Sequence, residues 1–186
     1  MRKLAIFNHV SLDGYIADAG GNMSWAHTSD PEWNAFASEN AGGNGVLLFG
    51  RTTYELMASY WPTPMAMQNN AAVAEGMNRM EKVVFSRTLD SVSWANTRLV
   101  KSDPASEVRK IKEVEGPDLV ILGSGSIVAQ LTQAGLVDEF QVVINPVILG
   151  KGKTMFENVS GKPRLKLAKT RTFRNGNVVL YYERAA

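Results

Sequence analysis

Apolar residues fall in short runs separated by glycine, proline and polar turns, and their period changes along the chain. Leu119-Val120-Ile121-Leu122 is bounded by Pro117 before it and Gly123 after it. A continuous apolar run of that length predicts a strand buried on both faces, as in a parallel sheet. Leu4–Val10 and Val46–Phe49 read the same way, and Lys82–Ser86, Arg98–Lys101 and Val137–Ile144 extend the set. Helical spacing intervenes. Asp30-Pro31 supplies an N-cap and a first helical residue, and Trp33, Phe36 and Ala37 mark the buried face that follows. Tyr54–Tyr60, Ala71–Met80, Pro104–Val114 and Ile127–Leu131 predict further helices, with Pro62 and Pro64 breaking the chain between the first two. After a loop at Lys151-Gly152-Lys153 the pattern becomes alternation, weak over Arg164–Arg174 and clearer over Val178–Glu183. Asn175-Gly176 between these two stretches is a hairpin signal. The whole predicts one α/β domain spanning residues 1–186: a twisted, mainly parallel sheet flanked by helices, with an antiparallel C-terminal edge.

Two strand-to-helix turns stand out. Gly123-Ser124-Gly125-Ser126 leads from an apolar run into a helix, and Gly50-Arg51-Thr52-Thr53 does the same. Unpaired N–H groups and the helix dipole make such a helix start a phosphate site, with Ser126 as a candidate cap and donor. The plain alternative is a glycine turn with no ligand. Val128 stands where the dinucleotide fingerprint needs its third glycine, so the stretch is not that motif.

Composition narrows the class. The chain has 186 residues, 45% hydrophobic and 20% charged, with no cysteine. Disulfides, thiolate metal sites and a cysteine nucleophile are excluded, and a cytoplasmic location is the expectation. No apolar run is long enough for a membrane span, and a net charge of +2 gives no case for nucleic acid. From Lys151 onward nine basic residues face only Glu157 and Glu183, a balance that suits a solvated strand face and can also draw an anionic ligand. His9 and His27 lack partners at metal-ligand spacing, so no metal site is expected. His9 is expected in the core or cleft and His27 in a loop.

Ligands of open parallel sheets lie at the carboxyl ends of the strands. Ser11–Gly14, Gly50–Thr53, Ser86-Arg87 and Gly123–Ser126 all fall there on this reading. The last three predict a pyrophosphate held between two helix starts, with Arg51 and Arg87 on a further phosphate. Arginine pairs with phosphate in a bidentate manner. The cofactor expected is NADPH rather than NADH.

The segments VSLDGYIA at Val10–Ala17, LLFGRTTYE at Leu47–Glu55, ILGSGSIVAQL at Ile121–Leu131 and LVDEFQVVINPVILGKG at Leu136–Gly152 carry a resemblance over nearly the whole chain. It resembles the dihydrofolate reductase-like fold, and within it the family of the reductase domain of bacterial riboflavin biosynthesis. The resemblance implies a cofactor set of Ala17, Gly50, Arg51, Thr52, Thr53, Ser86, Arg87, Gly123, Ser124, Gly125, Ser126 and Ile127. It implies substrate contacts from Asp13, Trp25 and Trp33, and a homodimer; Leu136–Leu149 is apolar enough to place a strand at the subunit interface. Asn22-Met23-Ser24-Trp25 resembles the mobile loop of dihydrofolate reductases, which puts Asp30 where those enzymes place their acid. A carboxyl shielded by Trp25, Trp33 and a nicotinamide would have a raised pKa and would support protonation of the substrate. The alternatives are that Asp30 only caps its helix, or that Glu32 takes the role.

The chain lacks the zinc-dependent deaminase half of the bifunctional riboflavin enzymes. Trp61–Met80 lacks the folate enzymes' arginine for the glutamate tail, Arg79 being only an approximate match. The expected activity is hydride transfer from NADPH to a C=N or C=O carbon of a small heterocycle or ribosylamino-pyrimidine. A dihydrofolate or pteridine reductase and a non-catalytic NADPH-binding module are the alternatives.

Overall fold

A computed structural model describes residues 1–27 and 30–185. Its order is β1 (Leu4–Ser11), β2 (Tyr15–Asp18), a 3-10 turn (Ser24–Ala26), α1 (Pro31–Ala41), β3 (Val46–Gly50), α2 (Arg51–Tyr60), α3 (Pro64–Arg79), β4 (Lys82–Phe85), β5 (Thr97–Val100), α4 (Pro104–Glu113), β6 (Leu119–Leu122), α5 (Gly125–Gln133), β7 (Glu139–Asn145), β8 (Gly152–Thr154), β9 (Leu165–Thr172) and β10 (Val178–Arg184). Eight strands form one sheet in the order β5-β4-β3-β6-β1-β7-β10-β9, and β2 pairs with β8 in a separate ribbon. The first six strands of that order run parallel. Strand β10 lies antiparallel to both β7 and β9, which gives the expected antiparallel edge.

The strands predicted from continuous apolar runs are the central ones. All five residues of β3 are buried, and β1 alternates its two faces between different cores. Leu4, Ile6 and Val10 join Val108, Ile127, Val128 and Leu131 beneath α4 and α5. On the opposite face, Phe7 packs against Trp33, Phe36 and Phe173 beneath α1. Helices α2 and α3 cover the β3–β4 side, where Phe49, Tyr54, Met77 and Trp94 meet. The wrap of α1 is tightened by Arg171, whose guanidinium lies over Phe36 and Phe173 and reaches Glu32 at 3.9 Å.

Local signals explain most boundaries. The Asp30 carboxylate accepts the Trp33 N–H at 2.8 Å, Thr63 caps α3 ahead of Pro64, and Asp103 caps α4 ahead of Pro104. Helix α3 therefore begins seven residues before the predicted Ala71, and the interruption falls at Asn70, whose φ of −158° and ψ of 87° are not helical. At the far end of α3, the buried ammonium of Lys82 donates to Met80 O (2.5 Å) and Asn78 O (3.3 Å), so a cation meets the helix's unpaired carbonyls. Among the described residues no helix is long and apolar enough to cross a membrane. Strand β7 is flanked on both sides by β1 and β10, so its backbone edges are paired within the chain.

Candidate active site

Strands β1, β3, β4, β6 and β7 end together, and the two glycine turns meet there. Helix α2 starts at Arg51 itself, with Gly50 as its cap, and α5 starts at Gly125, with Ser124 as its cap. Both helices thus begin earlier than the spacing predicts, and Ser126 lies exposed in the first turn of α5 rather than capping it. Gly123 and Ser124 both adopt left-handed backbone, with φ of 56° and 53°. That kink turns the Ser124 side chain away from its own helix and towards the neighbouring turn. Its Oγ accepts the Gly50 N–H at 2.8 Å, while its own N–H donates to Thr53 Oγ1 at 2.9 Å. Two hydrogen bonds therefore lock the turns into one unit. The Gly125 and Ser126 N–H groups have no acceptor among the described residues. Ile127 is buried behind them, 3.3 Å from where a Gly50 Cβ would sit.

The β2–β8 ribbon closes the other flank. Ala17 pairs with Lys153 and is buried. A Cβ on Gly125 would lie 2.9 Å from Thr154 O and 3.0 Å from Ile16 Cδ1, so the start of α5 accepts only glycine without moving the ribbon. Asn8, buried in β1, donates to Gly123 O at 3.1 Å and contacts Met155 Sδ at the same distance, tying strand, turn and ribbon together.

Cations flank the paired turns. Arg51 and Thr52 are exposed on the first turn of α2, and Arg51 reaches Glu55 at 3.9 Å, an exposed pair of small energetic weight. After β4, Ser86 Oγ accepts the N–H groups of Thr88 and Leu89 at 3.2 and 3.1 Å. Arg87 beyond it is exposed, and its charge is felt at Asp103.

The substrate candidates lie on the α1 side of the sheet. Trp33 is buried, with ring centroids 5.0 Å from Phe173, 5.2 Å from Phe36 and 5.3 Å from His9. Trp25 is half-buried in the 3-10 turn, its indole N–H donating to Asn22 O at 3.2 Å. Thr28 and Ser29, the end of the loop predicted over Asp18–Thr28 and the residue after it, lie outside the described residues. Asp30 is half-buried, and Oδ1 is taken by the cap bond. Asp13 sits apart from this group. Its carboxylate accepts Ser11 Oγ–H (2.6 Å), Leu149 N–H (3.1 Å) and Gly150 N–H (2.7 Å), which ties the β1–β2 turn to the loop after β7. These donors, the Ser11 hydroxyl first, hold its carboxyl below the usual range.

Sequence reasoning passed over Asn8, His9 and Asn145 as site residues. The signal available was two polar residues, Asn8 and His9, inside the otherwise apolar Leu4–Val10. His9 rests between Phe7 and Trp33 and contacts Asn145. Burial holds its pKa down to about 4, opposed by the Asn145 hydrogen bond and helped slightly by His27.

This sheet order, with its paired helix starts, is the dihydrofolate reductase-like fold. Dihydrofolate reductase from Enterococcus faecalis, solved in complex with NADP(H) and RAB-propyl, superposes with a TM-score of 0.66 at 17% identity, over 99% of this chain and 97% of that one. A Shewanella sp. PV-4 protein ascribed to riboflavin biosynthesis gives 0.75 at 21% identity, over 99% of both chains. Residues 2–179 match the RibD C-terminal domain, and the chain belongs to that family. It is 30% identical over 181 residues to the uncharacterized protein YyaP of Bacillus subtilis (strain 168), spanning 97% of this chain and 94% of that one.

Proposed function

We propose that this chain is an NADPH-dependent reductase acting on a small heterocyclic or ribosylamino-pyrimidine substrate. The observation that carries the reading is the pair of helix starts locked together through Ser124, Gly50 and Thr53, with the Gly125 and Ser126 N–H groups left open. Two positive helix ends side by side suit a pyrophosphate. Arg51, Thr52, Ser86 and Arg87 line the same strand ends and suit the adenosine phosphates, while Ala17 and Ile127 supply apolar walls. The neighbour from Enterococcus faecalis, which holds NADP(H), supports the choice of cofactor. Bound there, NADPH supplies a hydride.

The remaining chemistry falls to this chain's own side chains. Trp25 and Trp33 wall the substrate side, and Asp30, between them in sequence and rigidly seated as a cap, delivers the proton. Its second oxygen, Oδ2, has no partner among the described residues, so it remains available for that task. Glu32 is drawn towards Arg171 and is the weaker candidate. Asp13 supports the site through the loop it fastens. The protein acts as one domain, in the cytoplasm, and as a homodimer. With the edges of β7 paired inside the chain, a second copy would meet its face or its flanking loops, where Ile148 is exposed.

The test is substrate-dependent loss of NADPH absorbance over a panel of pterins, flavins and aminopyrimidine ribosides. NADPH and NADH titrations of wild type, Arg51→Ala and Arg87→Ala accompany it. Loss of one charge-assisted phosphate contact costs about 1.5–3 kcal/mol, or roughly ten- to a hundredfold in affinity. Equal affinity for both cofactors in all three proteins would refute the phosphate assignment. Absence of turnover across the panel would leave a cofactor-binding module.

A further inference from the structure

Asn145, the last residue of β7, fixes the proton of His9. Its amide nitrogen carries two hydrogens, and two buried main-chain oxygens take them: Val10 O and Val143 O, each at 3.1 Å. The same nitrogen lies 3.3 Å from His9 Nδ1 but has no hydrogen left to give. The contact must run the other way, from His9 Nδ1–H to Asn145 Oδ1 at 3.4 Å. The hydrogen positions thus follow from the bonding network. A neutral imidazole protonated on Nδ1 carries a bare lone pair on Nε2. Among the described residues nothing donates to that atom. The imidazole rests between Phe7 and Trp33, and Trp33 is the residue whose N–H seats Asp30.

We infer that His9 is a specificity-determining residue: a tautomer-locked hydrogen-bond acceptor that selects heterocycles presenting an N–H donor, on the ring or as an exocyclic amine. The inference rests on the reductase reading for the location of the substrate. A ring that stays neutral is suited to recognition rather than proton delivery, which leaves that role to Asp30. With the Asp30 carboxyl capping the helix that carries Trp33, this wall suits an amino-substituted pyrimidine edge. A site built to pair a donor strongly rejects an analogue that lacks it, because the buried acceptor is left unpaired.

Two measurements on the NADPH-saturated protein test this. Long-range proton–nitrogen NMR at neutral pH, with His9 identified by its loss in His9→Gln, should show Nδ1 protonated and Nε2 bare. Calorimetry with 2,4-diaminopyrimidine should show His9→Gln, which keeps an acceptor oxygen near the Nε2 position, within a few-fold of wild type. His9→Phe should bind it about tenfold more weakly, in line with the loss of one hydrogen bond. The 4-dimethylamino analogue should bind wild type and His9→Phe alike. A proton on Nε2, equal losses in the Gln and Phe variants, or no binding of 2,4-diaminopyrimidine to wild type would each overturn the inference. NADPH binding is measured separately on the same samples. Its absence in wild type would bring down the reductase reading, and this inference with it, even if NMR found the predicted tautomer.

Discussion

The stability of this protein should fall between about pH 7.5 and pH 5 because of one side chain, His9. Its pKa of about 4 lies below the ordinary value of 6.5. The unfolded chain therefore binds a proton that the folded chain refuses. Such a group contributes stability that is fully present above the unfolded pKa and lost as pH falls towards the folded one. The full difference corresponds to about 3 kcal/mol at 1.36 kcal/mol per unit. Over the window from about pH 7.5 to 5 the linkage relation gives a loss of roughly 2 kcal/mol. For a chain of this size that is about 4–8 °C in Tm. Asp13 and Asp103 are held below the usual carboxylate range, so their contribution is lost only at more acid pH and leaves this window clear. Urea unfolding at the two pH values reads the effect directly. Wild type should lose about 2 kcal/mol more than His9→Gln, which keeps His27 and every carboxylate. Equal losses in the two proteins would show that His9 ionises freely in the folded state, and the burial argument would fail.

Other consequences are as direct. Asp30→Asn keeps an oxygen for the Trp33 N–H, so melting temperature should hardly move, NADPH should bind as before, and turnover should fall; an unchanged rate would return Asp30 to a capping role. Ser124→Ala removes the acceptor for the Gly50 N–H and should cost about 1–3 kcal/mol in urea unfolding, with weaker NADPH binding. Gly125→Ala places a methyl 2.9 Å from Thr154 O and should destabilise by roughly 1–3 kcal/mol, which calorimetric melting would register. Dihydrofolate should be a poor substrate beside the phosphoribosylamino-pyrimidine intermediate of riboflavin synthesis. Arg79 is spent on the Gly42 and Gly43 carbonyls at 3.3 and 3.5 Å and is not free for a glutamate tail. Efficient dihydrofolate turnover would contradict this.

The sheet was legible in the sequence because its central strands are buried on both sides, and that burial forces continuous apolar runs such as Val46–Phe49. The cap at Asp30 and the hairpin at Asn175-Gly176 were legible for an equally local reason. The β2–β8 ribbon was not: Gly152–Thr154 is three residues long and pairs across more than a hundred residues, leaving no periodicity to detect. The start of α5 moved because a left-handed Ser124 reaches sideways to Gly50, a contact between turns that no local signal encodes. Asn8 and His9 were visible as polar residues in an apolar strand. Their partners, Gly123 and Asn145, are defined only once the sheet order is known.

That order also constrains when the protein can fold. Strand β1 lies at the centre of the sheet, yet its neighbours are β6, starting at Leu119, and β7, starting at Glu139. A chain emerging from the ribosome therefore carries an apolar eight-residue strand with neither edge satisfied until more than a hundred further residues have been made. Pairings of such long sequence separation are slow to close. An unpaired apolar strand is meanwhile open to association with other nascent chains. Both edges of Leu4–Ser11 are therefore satisfied only once β7 has been made, late in synthesis of this sheet.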